Sequence, residues 1–195
     1  MAGAERHALG RRRAELLDGL NGHVVDVGAG TGANLAHLGG AVSQVTALEP
    51  APSMAARLRT RATRWQDQQD TEVVVLEAPA EAIPLPDGSA DAVVATLVLC
   101  SVDDPMLAIR EIHRVLRDDG VLVLIEHVAS ERPVAGRVQR VLAPAWRVVG
   151  RGCRLYRPTR SLLTAGGFDD AEVVPWTLPG GRPTAPAISG VARPR

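Results

Sequence analysis

A glycine-rich turn, Asp26-Val27-Gly28-Ala29-Gly30-Thr31-Gly32, ends the apolar run that begins at His23. An apolar run that stops at glycines is typical of a buried strand entering a turn. The backbone must bend sharply there and approach a ligand closely, and glycine permits both because it has no Cβ. The sequence therefore predicts a first strand followed by a ligand-binding turn.

Asp26 and Glu49 indicate which ligand this turn binds. With Ala33 the turn also satisfies the dinucleotide pattern G-x-G-x-x-(G/A), and Glu49 follows where a ribose partner belongs, so NAD is a competing ligand. Asp26, however, stands where a dinucleotide-binding strand carries an apolar residue. A buried carboxylate needs a partner, and S-adenosylmethionine offers an α-ammonium group where NAD offers only phosphates. Asp26 thus favours S-adenosylmethionine over NAD.

Strands and helices alternate along the rest of the chain, which predicts a mostly parallel sheet with right-handed crossovers. The predicted strands are residues 23–27, 42–48, 72–76, 91–100, 121–126, 172–174 and 188–191. The predicted helices are a short N-terminal helix that ends near Gly22 and residues 34–39, 53–66, 105–117, 134–149 and 159–165. Ser53 is the predicted N-cap of the second helix, and a turn at 179–186 is predicted to connect the last two strands. We expect an α/β fold: a Rossmann-like, doubly wound, seven-stranded, mostly parallel sheet with helices on both faces, in a single domain covering residues 1–195.

The composition restricts the partners and the location of the protein. Lys+Arg and Asp+Glu balance at 22 each, so no net charge draws the chain to nucleic acid. No run approaches the roughly 18 apolar residues of a membrane span, and the N-terminus lacks the apolar core of a signal peptide. Cys100 and Cys153 lie in unrelated segments without metal-ligand spacing. We therefore expect a cytoplasmic protein with no stable membrane anchor, disulfide, metal or nucleic-acid partner.

Four segments resemble the motifs of class I S-adenosylmethionine-dependent methyltransferases in order and spacing. They are residues 26–32, Ala47-Leu48-Glu49-Pro50, residues 80–91 and residues 111–120. The resemblance implies that Glu49 binds the ribose hydroxyls and that the stretch from Ala80 frames the adenine. The donor-binding residues that follow from it are Asp26, Gly28, Gly30, Thr31, Gly32, Glu49, Pro50, Met54, Ala80, Glu81 and Leu97. Ala78 and Pro79 depart from the pattern, because relatives often carry an adenine-binding Asp there, and we expect the backbone and Glu81 to recognise the adenine instead.

Five further segments resemble the alkyl thiol methyltransferases of animals and their bacterial relatives. They are residues 99–102, 125–132, 142–146, 152–157 and 188–192. This resemblance implies methyl transfer from S-adenosylmethionine to a small thiol, with S-adenosylhomocysteine as the other product. Ligands of open α/β sheets bind beyond the carboxyl ends of the strands, where His127 is the candidate catalytic residue, although a structural role also fits it. The candidate acceptor-binding residues are Cys100, Ser101, Trp146 and Arg157; Cys100 also fits a packed core position, and Arg157 a salt bridge or the solvated surface.

Other acceptors and other functions stay open at this point. Quinone-biosynthesis C-methyltransferases and phospholipid N-methyltransferases share the core motifs, so an oxygen, nitrogen or carbon atom of a small metabolite, quinone precursor or phospholipid is the alternative acceptor. The helix at 134–149 carries apolar and arginine side chains that suit a lipid surface, or a lid packed on the core. A non-catalytic binding module and an NAD-dependent oxidoreductase are the alternatives from other classes. Animal relatives have an N-terminal membrane anchor that we expect this protein to lack. Because residues 1–22 alone precede the first strand, we expect either a site that is more open than in those relatives or a homodimer that completes the site.

Overall fold

The computed structural model describes residues 2–69, 71–130, 132–149, 152–154, 156–177 and 186–195, with the side chains at 2–6, 135 and 145–149 outside that description. Within these residues, seven strands form one sheet. The strands are β1 Gly22–Val27, β2 Val42–Leu48, β3 Glu72–Leu76, β4 Ala90–Thr96, β5 Leu116–His127, β6 Phe168–Thr177 and β7 Pro186–Pro194. Their order across the sheet is β3-β2-β1-β4-β5-β7-β6. The strands β1 to β5 run parallel, and β7 is antiparallel to both of its neighbours.

Five α-helices and one turn of 3-10 helix connect these strands in the part of the chain that the structure describes. The α-helices are α1 Ala2–Leu17, α2 Pro52–Gln66, α3 Pro105–Val115, α4 Pro133–Val149 and α5 Thr159–Ala165, and the 3-10 turn is Leu35–His37. The described helices include none that is both long enough and apolar enough to span a lipid bilayer. The predicted doubly wound, mostly parallel α/β fold is confirmed.

The two faces of the sheet bury two separate apolar clusters, because successive strand residues point to opposite faces. Val24 belongs to the cluster that contains Leu17 of α1 and Leu58 of α2. Val25 belongs to the cluster that contains Ile109 of α3 and Leu163 of α5. Helices therefore cover both faces, which leaves the carboxyl ends of the parallel strands as the open edge where a ligand can bind.

The fourth strand ends earlier than the apolar run predicts. β4 stops at Thr96, and Leu97 has a φ of 59°, which turns the chain out of the sheet. Residues 97–104, which we call the β4 loop, continue from there to α3. The backbone N–H groups of residues 98–100 bond to the buried Glu126 carboxylate instead of a neighbouring strand. The prediction of a strand through Cys100 was wrong because apolar composition does not show where a side-chain acceptor captures the backbone.

Other boundaries differ from the predictions for local reasons. The N-cap of α2 is Ala51 and not Ser53, and Pro52 occupies the first helical turn, where its missing N–H costs nothing. α3 ends at Val115, because Leu116 already pairs with Ala90 in the sheet. The predicted helix at 34–39 is reduced to the 3-10 turn. The last two strands are longer than predicted and pair as a hairpin, while residues 179–185 of the predicted turn lie outside the described residues.

Candidate active site

The glycine turn and the β4 loop are in direct contact. Gly28, Gly30 and Gly32 have φ values of 59°, 60° and 79°, a region that L side chains rarely adopt. A Cβ on Gly28 would lie 2.5 Å from Cγ2 of Val98 in the β4 loop. Thr31 lies half-buried in the same turn. A side chain at position 28 would therefore displace the loop as well as strain the turn.

Asp26 carries a buried carboxylate oxygen that still lacks a partner. The residue is 1% exposed, and Oδ1 accepts a hydrogen bond of 2.8 Å from the amide of Asn34. Oδ2 is buried and has no hydrogen-bond partner among the described residues. Burial raises the pKa of Asp26 to about 7, although the Asn34 hydrogen bond and the charge of Arg13 act in the opposite direction. A cation placed against Oδ2 would stabilise the charged form.

The N-terminal helix α1 supplies residues that the sequence prediction did not assign to the site. Arg13 is close enough for its charge to lower the pKa of Asp26, and its Nε is buried with no hydrogen-bond partner among the described residues. Arg12 donates to Oγ of Ser189 in β7 over 3.0 Å. Leu9 and Leu97 of the β4 loop both pack against Ala187 of β7. The sequence analysis expected little chain before β1 to cover the site. The residues that precede β1 nevertheless form a helix that contacts the edge of the site.

Glu49 connects the glycine turn to the start of α2. The residue is 4% exposed; Oε2 accepts from the N–H of Gly30 over 3.0 Å, and Oε1 accepts from the N–H of Ala51 over 2.9 Å. Pro50 is exposed beside it, and Met54 lies half-buried in the first turn of α2. The structure therefore brings the predicted motif at the end of β2 against the predicted glycine turn.

Glu81 holds the other end of the β4 loop. Its Oε1 accepts from the backbone N–H groups of Asp103 and Asp104 over 2.9 and 3.3 Å. Ala80, its neighbour, is 5% exposed and belongs to the apolar cluster under α3. One oxygen of Glu81 is thus engaged by the loop, a contact that the sequence motif did not predict.

Glu126 organises the middle of the β4 loop, and sequence analysis assigned it no such role. The residue is fully buried; Oε1 accepts from the N–H groups of Val98 and Leu99 over 2.7 and 2.8 Å, and Oε2 accepts from that of Cys100 over 3.1 Å. Burial raises the pKa of Glu126 well above its ordinary value, while the three amides lower it. The one feature of the sequence that could have indicated this role is a charged residue at the end of an apolar strand.

The fold brings Cys100, His127 and Cys153 together at the carboxyl ends of β4 and β5. Nδ1 of His127 lies 3.4 Å from Sγ of Cys153, and the three side-chain ligand atoms all lie within 4.8 Å of one another. Both thiols are buried and reduced, and Oγ of Ser101 lies 3.5 Å from Sγ of Cys100. The hydrogen bond from Cys153 and burial raise the pKa of Cys100 to about 12. Sequence spacing indicated no such cluster, because its members come from three separate segments.

Arg157 lies under the β4 loop and not on the surface. It is 5% exposed, one terminal nitrogen donates to the carbonyl of Val102, and the other is buried without a hydrogen-bond partner in the described part of the chain. Burial lowers the pKa of Arg157, and the electrostatic influence of Cys100 and Glu126 opposes that shift. The backbone of Trp146 lies in α4, but its side chain is outside the described residues.

A cavity of about 860 Å³ lies next to Arg157 and Val128, the residue that follows His127. This volume is in the range of small-molecule sites. Its described lining includes Val128, Arg157, Arg160, Trp176, Ala187 and Ile188. Ala187 pairs with His127 across β5 and β7. The described lining does not include the glycine turn or Glu49, so this cavity is separate from the donor residues.

Comparison with known proteins shows the family. Residues 25–124, which contain the glycine turn, Glu49 and the β4 loop, match the family model described as a methyltransferase domain. The chain belongs to this methyltransferase family. The protein is therefore an enzyme that uses S-adenosylmethionine. The buried, unpartnered Oδ2 of Asp26 fits the α-ammonium group of that donor.

Individual relatives differ in the acceptor that their names specify. Human thiol S-methyltransferase TMT1B is 38% identical over 161 residues, which are 80% of this chain and 65% of the human protein. The phosphatidylethanolamine N-methyltransferase of Cereibacter sphaeroides is 29% identical over 133 residues, which are 68% of this chain and 64% of that protein. The crystal structure of YcgJ from Bacillus subtilis superposes with a TM-score of 0.67 at 18% identity and covers 98% of this chain and 96% of YcgJ. The chain thus spans about two thirds of the length of these two curated relatives.

Proposed function

We propose that this methyltransferase transfers the methyl group of S-adenosylmethionine to the sulfur of a small thiol. The observation that carries the proposal is the similarity to human thiol S-methyltransferase TMT1B over 80% of the chain. That share is larger than residues 25–124, so the similarity extends beyond the region that matches the general family model. This chain covers 65% of that relative, so the activity and the substrate of the relative are part of the proposal for this chain.

The donor would be held by residues that the fold has already brought together. Oδ2 of Asp26 would accept a charge-assisted hydrogen bond from the donor α-ammonium group, and the glycines would let the backbone approach the donor closely. Glu49 would accept from the ribose hydroxyls. The donor supplies a methyl group that is already activated by a sulfonium, so the protein must chiefly position the acceptor and exclude water.

Glu49→Ala is expected to weaken donor binding by about 1.5–3 kcal/mol, the scale of hydrogen bonds that involve a charged group. The variant also loses the acceptor for the N–H of Gly30. Isothermal titration with S-adenosylhomocysteine measures the effect, and Glu72→Gln, an exposed carboxylate on β3, serves as the control. An affinity equal to that of the wild type would remove Glu49 from the donor site.

The charges around the acceptor end favour an anionic nucleophile. Arg157 lies within electrostatic range of Cys100 and Glu126, and Arg154 is close enough to influence Arg157. Two guanidinium groups lower the pKa of a nearby thiol and disfavour an ammonium ion. A thiol is therefore favoured over an amine. His127, half-exposed at the end of β5, would orient the thiol or accept its proton.

A labelled-donor assay tests the acceptor class. The protein is mixed with methyl-labelled S-adenosylmethionine and with sulfide, several alkyl thiols, a phenol, an amine, a quinol and a phospholipid in separate reactions. We expect label on the thiols alone. Label on another acceptor, or none despite tight binding of S-adenosylhomocysteine, would contradict the proposal.

A phospholipid amine is the second candidate acceptor, because α4 exposes an apolar surface. Val134 and Val141 are 74% and 78% exposed, and Arg137 and Arg140 lie on the same helix. The similarity to a phosphatidylethanolamine N-methyltransferase points to the same acceptor. Cosedimentation with anionic vesicles, together with the phospholipid reaction of the labelled-donor assay, separates this candidate from a thiol acceptor in water.

A further inference from the structure

We propose that Cys100, His127 and Cys153 form a zinc-binding site whose fourth coordination position is open to an exogenous thiol. The three residues lie at the carboxyl ends of β4 and β5 and on the segment before α5. Each belongs to a separate part of the sequence, so the site exists only in the folded protein. Four observations support the proposal: distance, ligand type, charge and local rigidity.

The distances are close to those of a tetrahedral zinc site. Zinc bonds of about 2.3 Å to sulfur and 2.05 Å to nitrogen place two sulfurs about 3.8 Å apart and a sulfur and a nitrogen about 3.6 Å apart. Nδ1 of His127 lies 3.4 Å from Sγ of Cys153, and all three ligand atoms lie within 4.8 Å of one another. Side-chain shifts of about 1 Å would be enough to complete the coordination.

The ligand set is typical of zinc with a labile position. Thiolates and imidazole together favour zinc over calcium or magnesium. In the described part of the chain, no fourth His, Cys, Asp or Glu joins the cluster. Structural zinc sites usually have four protein ligands, whereas three protein ligands leave one position for water or substrate.

The two buried sulfurs lie together and apart from the apolar core of the sheet. Cys100 and Cys153 form a two-residue cluster separate from the larger apolar clusters of the sheet. They are 1% and 5% exposed, so any charge on them needs compensation. Two thiolates, a neutral imidazole and Zn²⁺ sum to zero charge, which suits a buried position.

Hydrogen bonds already hold the ligand-bearing segments in place. The N–H of Cys100 donates to Oε2 of Glu126 over 3.1 Å, which fixes the loop beside β5. The N–H of Arg154 donates to the carbonyl of Cys100 over 2.8 Å, which brings Cys153 to the same point. His127 is held in β5 by its pairing with Ala187. A site positioned in this way has less to reorganise when the metal binds.

The role of the open position rests on the proposed function. With His127 bound to the metal, its role would be to hold zinc and not to accept a proton. A small thiol would lose its proton to solvent and bind zinc through its sulfur, which keeps the thiolate available at neutral pH. The methylated product is an uncharged thioether, a weaker ligand than a thiolate, and would leave the metal. The metal site itself does not depend on the acceptor.

Cobalt substitution tests the site without any need for turnover. Reduced, metal-free protein without a histidine tag is titrated with Co²⁺ under argon at mildly alkaline pH, and Zn²⁺ is then added. We expect a cobalt–thiolate charge-transfer band and tetrahedral d–d bands that saturate at a single equivalent and disappear on addition of zinc. Cys153→Ser and His127→Gln should each weaken binding by more than about 100-fold, because they remove a direct ligand. His7→Gln, on the exposed side of α1, should leave the titration unchanged.

The outcomes separate the metal site from the proposed function. A missing charge-transfer band, or one that survives in Cys153→Ser, would overturn the metal site. Circular dichroism and binding of S-adenosylhomocysteine show whether each variant is folded. If Cys153→Ser does not fold, His127→Gln still tests the site, because it alters a half-exposed residue. A small thiol should shift the d–d bands, and unchanged bands would overturn the open position. Protein that binds cobalt but methylates no thiol would refute the proposed function and leave the metal site intact.

Discussion

Asp26→Asn is expected to weaken the binding of S-adenosylmethionine by at least about 3 kcal/mol, more than a hundredfold, because it removes one partner of a buried charge pair. Asn34 can still donate to position 26, so the local hydrogen bond is retained. Isothermal titration with S-adenosylhomocysteine measures the loss. Asp118→Asn, which changes an exposed carboxylate in β5, is the matched control and should bind as the wild type does.

The pH dependence of binding gives the same prediction an independent test. The pKa of Asp26 is raised to about 7 in the free protein, and the carboxylate is the form that pairs with an ammonium ion. Affinity should therefore fall about tenfold per pH unit below that pKa. The α-amino group of the donor loses its proton above about pH 8. Affinity should peak between these two values, and a profile that is flat from pH 5 to about 8 would contradict the assignment of Asp26.

The same substitution should also increase stability. Between about pH 4 and 7, Asp26 keeps its proton in the folded protein. In the unfolded chain, where the pKa of Asp26 is the ordinary 3.8, that proton has already been lost. Stability from this group is therefore present at low pH and lost as the pH rises through about 7. Relative to wild type, Asp26→Asn should gain up to roughly 3–4 kcal/mol across that window. Urea unfolding of both proteins at several pH values measures the difference.

Glu126→Gln is expected to produce the largest loss of stability, about 2–3 kcal/mol, with a fall in Tm of about 4–12 °C. The amide of the variant offers one acceptor oxygen where the carboxylate serves three N–H groups, so the NH₂ of the variant faces a backbone donor. Removal of the buried charge offsets part of this loss, but less than at Asp26, because both oxygens of Glu126 already accept hydrogen bonds. The β4 loop should lose its fixed position, and kcat/KM should decrease more than tenfold on any acceptor. Donor affinity should change less than in Asp26→Asn.

Scanning calorimetry and turnover measurements decide this second prediction. Glu72→Gln is again the matched control, because Glu72 is an exposed carboxylate on the edge strand β3. If Glu126→Gln kept the wild-type Tm and turnover, Glu126 would not be the residue that orders the β4 loop. A lower Tm with normal turnover would limit its role to folding.

The sequence predicted the architecture well because the signals for it are local. The apolar runs at β1, β2 and β3 and the helix at α5 depend on nearest neighbours and periodicity, and the predicted and observed ranges agree closely. Predictions failed where a distant side chain decided the backbone. β4 ends early because Glu126, almost thirty positions along the chain, accepts its N–H groups.

The sequence likewise predicted which residues form the donor site. Asp26, the three glycines and Glu49 lie near the ends of two adjacent parallel strands, and parallel strands place their carboxyl ends at one edge of the sheet. Those residues could be assigned together before any contact was known. Their precise burial, and the unpartnered oxygen of Asp26, required the tertiary structure, because burial depends on what α1 and the rest of the chain pack against them.

Only the tertiary structure decided what surrounds Cys100 and His127. Glu126, Cys153 and Arg157 are separated from their partners by long stretches of chain, and no periodicity or spacing connects them. The sequence by itself determined a donor-binding α/β methyltransferase fold, because that information is carried by short motifs on consecutive strands. The contacts among Cys100, His127 and Cys153 arise only when the β4 loop, β5 and the segment before α5 converge at one edge of the sheet.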